Sequence, residues 1–107
     1  MAESPPGVTV EQVWLVEAFY SPDAAETRVP FRSRHLGRLA DLRDEGVVIE
    51  AGGMADMSRA VLLVRAASED AALEIARADI YMANGIWVEV KATAFGRVVR
   101  TAPASES

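Results

Sequence analysis

From Gln12 the chain reads QVWLVEAFY, rich in β-branched and aromatic residues, and it halts at Ser21-Pro22-Asp23, a turn signal. This predicts a first strand over Gln12–Tyr20. The period then changes. Over Arg28–Glu45, Leu36, Leu39 and Leu42 recur three apart with Ala40 on the same face, while Arg34, Arg38, Asp41 and Arg43–Glu45 fall largely on the other. That pattern predicts an amphipathic helix closed by Gly46 at the C′ position. Val47–Gly53 reads as a short second strand running into Gly52-Gly53, for which a tight bend or bulge with positive φ is expected. Arg59–Ala66 (RAVLLVRA) is a third strand. Ser68 is a candidate N-cap for a helix through Ala78, with Glu69 and Asp70 in its first turn and Ala72, Leu73, Ile75 and Ala76 facing inward. Asp79–Gly85 is a connection. Ile86–Val99 is a long last strand, in which Trp87, Glu89 and Lys91 alternate against Ile86, Val88 and Val90.

The order β-α-β-β-α-β predicts an α+β, ferredoxin-like domain with a four-stranded antiparallel sheet and both helices on one face. Strand one carries Val13 and Leu15 on one parity and Trp14 and Val16 on the other. Two helices cover one sheet face only, and an exposed apolar sheet face is ordinarily an interface. A homodimer is therefore expected, packed sheet to sheet or through the last strand. The domain spans residues 9–100. Residues 1–8, with Ser4-Pro5-Pro6-Gly7, and 101–107 read as flexible tails.

Composition narrows the function. Of the 107 residues 50% are apolar and 25% charged, which excludes a disordered, collagen-like or coiled-coil chain. The longest apolar runs, such as Ala60–Val64, fall far short of the roughly 20 residues of a membrane helix, so no membrane partner is expected. No signal peptide is visible in the first residues, and cytoplasm is the default address. Without cysteine there is no disulfide, thiolate nucleophile or Cys-ligated metal. A net charge of −5 with dispersed arginines makes nucleic acid an unlikely partner.

His35 is the only histidine, about one 100° helical step from Leu36, at the edge of the predicted buried face. Arg32, three residues earlier, projects from the same side. The plain reading is a boundary histidine solvating its ring. Asp79 follows the second helix, where the dipole is negative and a carboxylate calls for a nearby cation; a local turn residue is the simpler account. Trp14, Phe19, Tyr20, Phe31, Trp87 and Phe95 read as core and interface packing. No GxGxxG, GxxxxGK, HExxH or GxSxG is present, and no cofactor or metal is expected.

Taken together, these features resemble the YciI-like (YCII-related) family. Arg32-Ser33-Arg34-His35-Leu36 is similar to its R-x-x-H-L helix start, Val47–Gly53 to its A-G-P strand, Asp79-Ile80-Tyr81 to its D-P-Y/F motif and Gly85-Ile86 to its A-G-V turn. Ile80 and Gly53 stand where the family carries prolines. The resemblance implies a dimeric α+β barrel whose site pairs the helix histidine with the D-P-Y aspartate, here His35 and Asp79. Beside that pair, Arg32 and Tyr81 are expected to bind substrate on their own chemistry. Arg32 suits a carboxylate or phenolate, and Tyr81 suits a developing oxyanion.

Two classes of function remain. One is a cofactor-independent acid–base enzyme of lyase, isomerase or dehydrochlorinase type, acting on a small anionic, aromatic-derived molecule through His35 and Asp79. The other is a non-catalytic dimeric module for small-molecule binding, regulation or assembly. The second expects the two side chains to lie too far apart to bond, or the apolar pocket to be missing.

Overall fold

A computed structural model describes residues 5–101 of the chain, so the outer parts of the two expected tails, 1–4 and 102–107, lie outside the described residues. β1 (Val8–Tyr20), β2 (Val48–Gly53), β3 (Arg59–Val64) and β4 (Trp87–Arg100) form one sheet in the order β2-β3-β1-β4, with every neighbouring pair antiparallel. Between β1 and β2 run α1 (Ala24–Thr27), a 3-10 turn over Val29–Phe31 and α2 (Arg32–Asp44). Between β3 and β4 run α3 (Glu69–Arg77) and α4 (Ile80–Ala83). This is the expected ferredoxin-like arrangement. No described helix is long and apolar enough to cross a membrane.

Local signals explain most boundaries. Ser68 caps α3, its hydroxyl accepting from Ala71 N–H at 3.1 Å, and Ala72, Leu73 and Ala76 are buried beneath it. Gly46 closes α2 at φ +81°, a conformation glycine adopts without strain. The core lies between the helices and the sheet, built on Val16, Ala18, Val48, Ala60, Leu62, Val64, Ala72, Ala76, Ile86 and Trp87.

Several expectations are corrected. β1 begins at Val8, not Gln12, because β-branched Val8–Val10 pair with Val98–Arg100 of β4. The single helix expected from Arg28 is broken at Pro30, which sits in the first turn of the 3-10 segment, where a missing N–H is harmless. The buried face of α2 is also rotated: His35 is 5% exposed, Leu36 is 45% exposed and Ala40 is exposed. His35, Leu39 and Leu42 follow i, i+4, i+7, which turns a continuous stripe to the sheet. Gly52 and Gly53 carry no positive φ and lie within β2. A Cβ on Gly53 would stand 3.1 Å from the Tyr20 hydroxyl oxygen, so close approach explains this glycine. Finally, the register slips where β1 meets the start of β4: Phe19 pairs with Glu89 but Tyr20 with Trp87, leaving Val88 as an extra residue. The bulge reverses the side-chain parity. Trp87, read as packing although it alternates with the polar Glu89 and Lys91, is thereby parted from them, 1% exposed and facing the core.

β1 pairs with β3 only from Trp14 to Phe19, so Val8–Val13 pair with β4 alone and project as a two-stranded ribbon. The molecule measures 52 × 29 × 25 Å. Val10 and Val98 face each other on the ribbon and are 57% and 73% exposed.

Candidate active site

α2 lies over β2, with α4 against both helices and the start of β4. Where these elements meet, a cavity of about 320 Å³ opens on the helix side of the sheet, lined by α2, β2, the β2–β3 connection and the first residue of β4. His35, one turn into α2, stands in its wall. His35 Nδ1 lies 2.8 Å from Asp79 Oδ1, and both residues are buried.

The position of Asp79 follows from local chain chemistry. The expected connection Asp79–Gly85 is a short helix, and Asp79 is its N-cap in extended conformation, Oδ1 accepting from Tyr81 N–H at 2.9 Å. Asp79 therefore joins the negative end of α3 to the positive end of α4. The cation that the first end calls for is Arg38, placed by the helical pattern on the solvent side. Arg38 Nη1 donates to Asp79 Oδ2 at 2.9 Å and Nη2 to the Ile75 carbonyl at 2.9 Å, satisfying the last turn of α3. An alternation of leucines conceals such a residue because arginine reads as surface. Its side chain stays 29% exposed while its head reaches inward to Asp79.

Burial works to raise the Asp79 pKa and is the largest single influence. The hydrogen bonds from His35, the Tyr81 N–H and Arg38 together outweigh it and hold the carboxyl below its ordinary value. Asp79 is thus an ionised acceptor. An ionised carboxylate has no proton to give, so His35 Nδ1 is the donor and Nε2 is the nitrogen left for a ligand.

Two aromatic rings fix the imidazole plane. Tyr81 stacks on His35 with centroids 3.7 Å apart and planes 9° from parallel. The Trp87 indole stands perpendicular to both, at 5.1 Å from His35 and 5.5 Å from Tyr81. The β4 bulge is what turns Trp87 inward. Burial raises the Tyr81 pKa, against opposing influence from Arg28 and Arg32, so the phenol remains a hydrogen-bond donor at neutral pH. Arg32 lines the same cavity, at the start of α2.

All four residues singled out from sequence, Arg32, His35, Asp79 and Tyr81, therefore converge: three line the cavity and Asp79 stands behind His35. Sequence reasoning missed Arg38, Arg28, Tyr20 and Trp87. Only α4 left a readable trace, an aspartate followed by four helix-compatible residues, Asn84 and then Gly85, whose φ is +71°. Ile80 occupies the first helical position after the cap, where an N–H has no intrahelical partner in any case, so its replacement of proline leaves the Asp79–Tyr81 bond intact. Among the described residues no three His, Asp or Glu side chains are grouped so as to hold a metal ion.

The match to known proteins follows this geometry. The family model for the YCII-related domain matches residues 13–96, which includes every residue discussed at the site. The chain belongs to the YCII-related family. Protein YciI of Escherichia coli O6:H1 is 30% identical over 96 residues, covering 80% of this chain and 98% of the relative, and Protein YciI of Shigella flexneri matches equally. This YCII-related chain also shares its fold with a solved structure. It is that of 5-chloro-2-hydroxyhydroquinone dehydrochlorinase (TftG) from Burkholderia phenoliruptrix AC1100, in complex with 2,5-dihydroxybenzoquinone. The TM-score is 0.64 at 18% identity, covering 78% of this chain and 92% of the other. At that identity the likeness establishes the fold.

Proposed function

We propose that the chain is a cofactor-independent acid–base enzyme, a lyase or isomerase acting on a small anionic, aromatic-derived substrate. The observation that carries this reading is the 2.8 Å contact between His35 and Asp79 in the wall of a ligand-sized cavity. His35 Nε2 takes a proton from a substrate hydroxyl as the ring ketonises and returns it to a ring carbon. Stopping there gives isomerisation. Where that carbon bears chlorine, chloride then leaves with the C–Cl electron pair and a second hydroxyl proton passes to water, a net loss of HCl. Asp79 holds the tautomer and stabilises the imidazolium formed midway, Tyr81 donates to the oxyanion, and Arg32 binds an anionic oxygen. The dehydrochlorinase with this fold acts, by its name, on such a hydroxylated ring. A non-catalytic binding module has no need of a buried carboxylate aligned behind the histidine.

The test is chloride release from 5-chloro-2-hydroxyhydroquinone and its halogenated relatives by wild type and His35→Ala. Loss of general acid–base catalysis lowers the rate by about 10²–10⁴-fold. Unchanged turnover in His35→Ala contradicts the reading.

The same reading includes a homodimer. Leu15, Phe19, Val61 and Leu63 on the outer sheet face are only half-buried, and Phe95, Val98 and Val10 are exposed. Light scattering should give twice the 11.5 kDa chain mass, and Val98→Glu should lower it.

A further inference from the structure

We propose that the cavity is selective for small dianions, with Arg28 and Arg32 together receiving the second negative charge. This rests on the same cavity being the ligand site, and it names the class of ligand.

Three observations carry it. The guanidinium groups lining the cavity among the described residues are those of Arg28 and Arg32, next to the imidazole of His35, and no carboxylate is among the lining residues. This is a concentrated positive site in a chain whose net charge is −5. Neither Arg28 nor Arg32 forms an ion pair with a described residue, whereas Arg38, Arg43, Arg59, Arg65 and Arg97 all do. Asp79 does not neutralise them, because its two oxygens are already occupied by His35, the Tyr81 N–H and Arg38.

The fold also places the two guanidinium groups for joint use. Arg28 ends α1 and Arg32 begins α2, with the Pro30-containing 3-10 turn between them, so both stems leave one stiff segment at the rim. Both influence the Tyr81 phenol electrostatically. Opposite them, His35 and Tyr81 offer hydrogen-bonding groups deeper in the cavity, and Tyr20 adds a further hydroxyl. Leu36, Leu39 and Met57 supply apolar wall for a ring between the two polar ends. One acidic oxygen accepts from Tyr81 and passes its proton to His35 Nε2, which then donates to it, and a second acidic group on the same small molecule meets the arginine pair, which binds carboxylates in bidentate fashion.

The experiment compares benzoate, which has one carboxylate, with phthalate and isophthalate, which have two. Binding to the full chain is followed by tryptophan fluorescence and by the NMR shifts of the single histidine ring. The better dicarboxylate should bind at least about tenfold more tightly than benzoate, with a steeper loss of affinity as salt is added. In Arg28→Gln/Arg32→Gln that preference should collapse toward one. Neither side chain is paired with a described residue and neither is buried, so the double variant should keep the wild-type Tm. A wild-type ratio near one, a ratio that survives in the double variant, or no binding of either class overturns the proposal. Turnover in His35→Ala judges the acid–base reading separately: equal binding of mono- and dianions with His35-dependent turnover removes the dianion proposal alone.

Discussion

Asp79 and Glu11 are two carboxylates with closely similar polar contacts and opposite surroundings. Asp79 is held by His35 at 2.8 Å and Arg38 at 2.9 Å; Glu11 is held by Arg65 at 2.7 Å and Arg97 at 2.9 Å. The Asp79 side chain is 1% exposed and sits under the helices, while the Glu11 side chain is 32% exposed on the outer face of the sheet. Each carboxyl is held below its ordinary pKa, Glu11 chiefly by its hydrogen bond from Arg65. The comparison shows that contact distance does not rank interactions. Water competes for the Glu11 pairs and screens them, whereas nothing replaces the partners of Asp79 when one is removed.

The largest expected effect follows directly. Asp79→Ala strips the α4 cap and leaves Arg38 and His35 facing an empty buried site, at a cost of about 3–5 kcal/mol. Chemical denaturation of this variant beside Glu11→Ala checks the contrast, for Glu11→Ala should be scarcely distinguishable from wild type. Equal losses would break it.

Acid titration sharpens the same point. The Asp79 pKa is lowered in the folded protein, so the unfolded chain binds this proton more tightly than the folded one. The stability it contributes is complete above the unfolded value of about 4 and drains away as pH falls through the lower folded value. Asp79→Asn keeps an acceptor for the Tyr81 N–H but cannot titrate. Its stability, lower at pH 7, should fall less steeply than that of wild type below about pH 4. Parallel acid limbs would show that Asp79 is not the linked group.

The smallest effect concerns the frame of the site. Ile80→Pro should stabilise the protein by about 0.4–1 kcal/mol, because Asp79 is already extended with ψ 146° and the Ile80 N–H makes no backbone hydrogen bond. Thermal melts measure it. A destabilised Ile80→Pro would show that the Asp79 cap tolerates no added rigidity.

How far the site could be read from sequence depended on whether its signals were periodic. Strand alternation, Ser68 as a cap and Gly46 as a stop are local and legible, and they suffice for the order of elements. The orientation of α2 was ambiguous because two stripes overlap. Leu36 looks like core, yet His35 takes the buried place since Asp79, itself held by Arg38, accepts its Nδ1–H there. Arg38 and Arg28 left no trace, because a polar residue that turns inward has the same spacing as one that turns out. Trp87 is legible as packing but not as part of the site, because the bulge that turns it inward is set by pairing between β1 and β4 and is invisible along either strand alone. His35 and Asp79, 44 residues apart, were joined by family resemblance and not by spacing.

The central claim is that Asp79 fixes His35 as the Nδ1–H tautomer with Nε2 free. A long-range ¹⁵N–¹H NMR correlation spectrum tests it most directly, recorded where the imidazole is neutral, on wild type and Asp79→Asn. With one histidine the assignment is unambiguous. The account predicts a protonated Nδ1 and an unprotonated Nε2 in wild type, with that preference lost in Asp79→Asn. A wild-type ring protonated at Nε2, or averaging between tautomers regardless of Asp79, would contradict it.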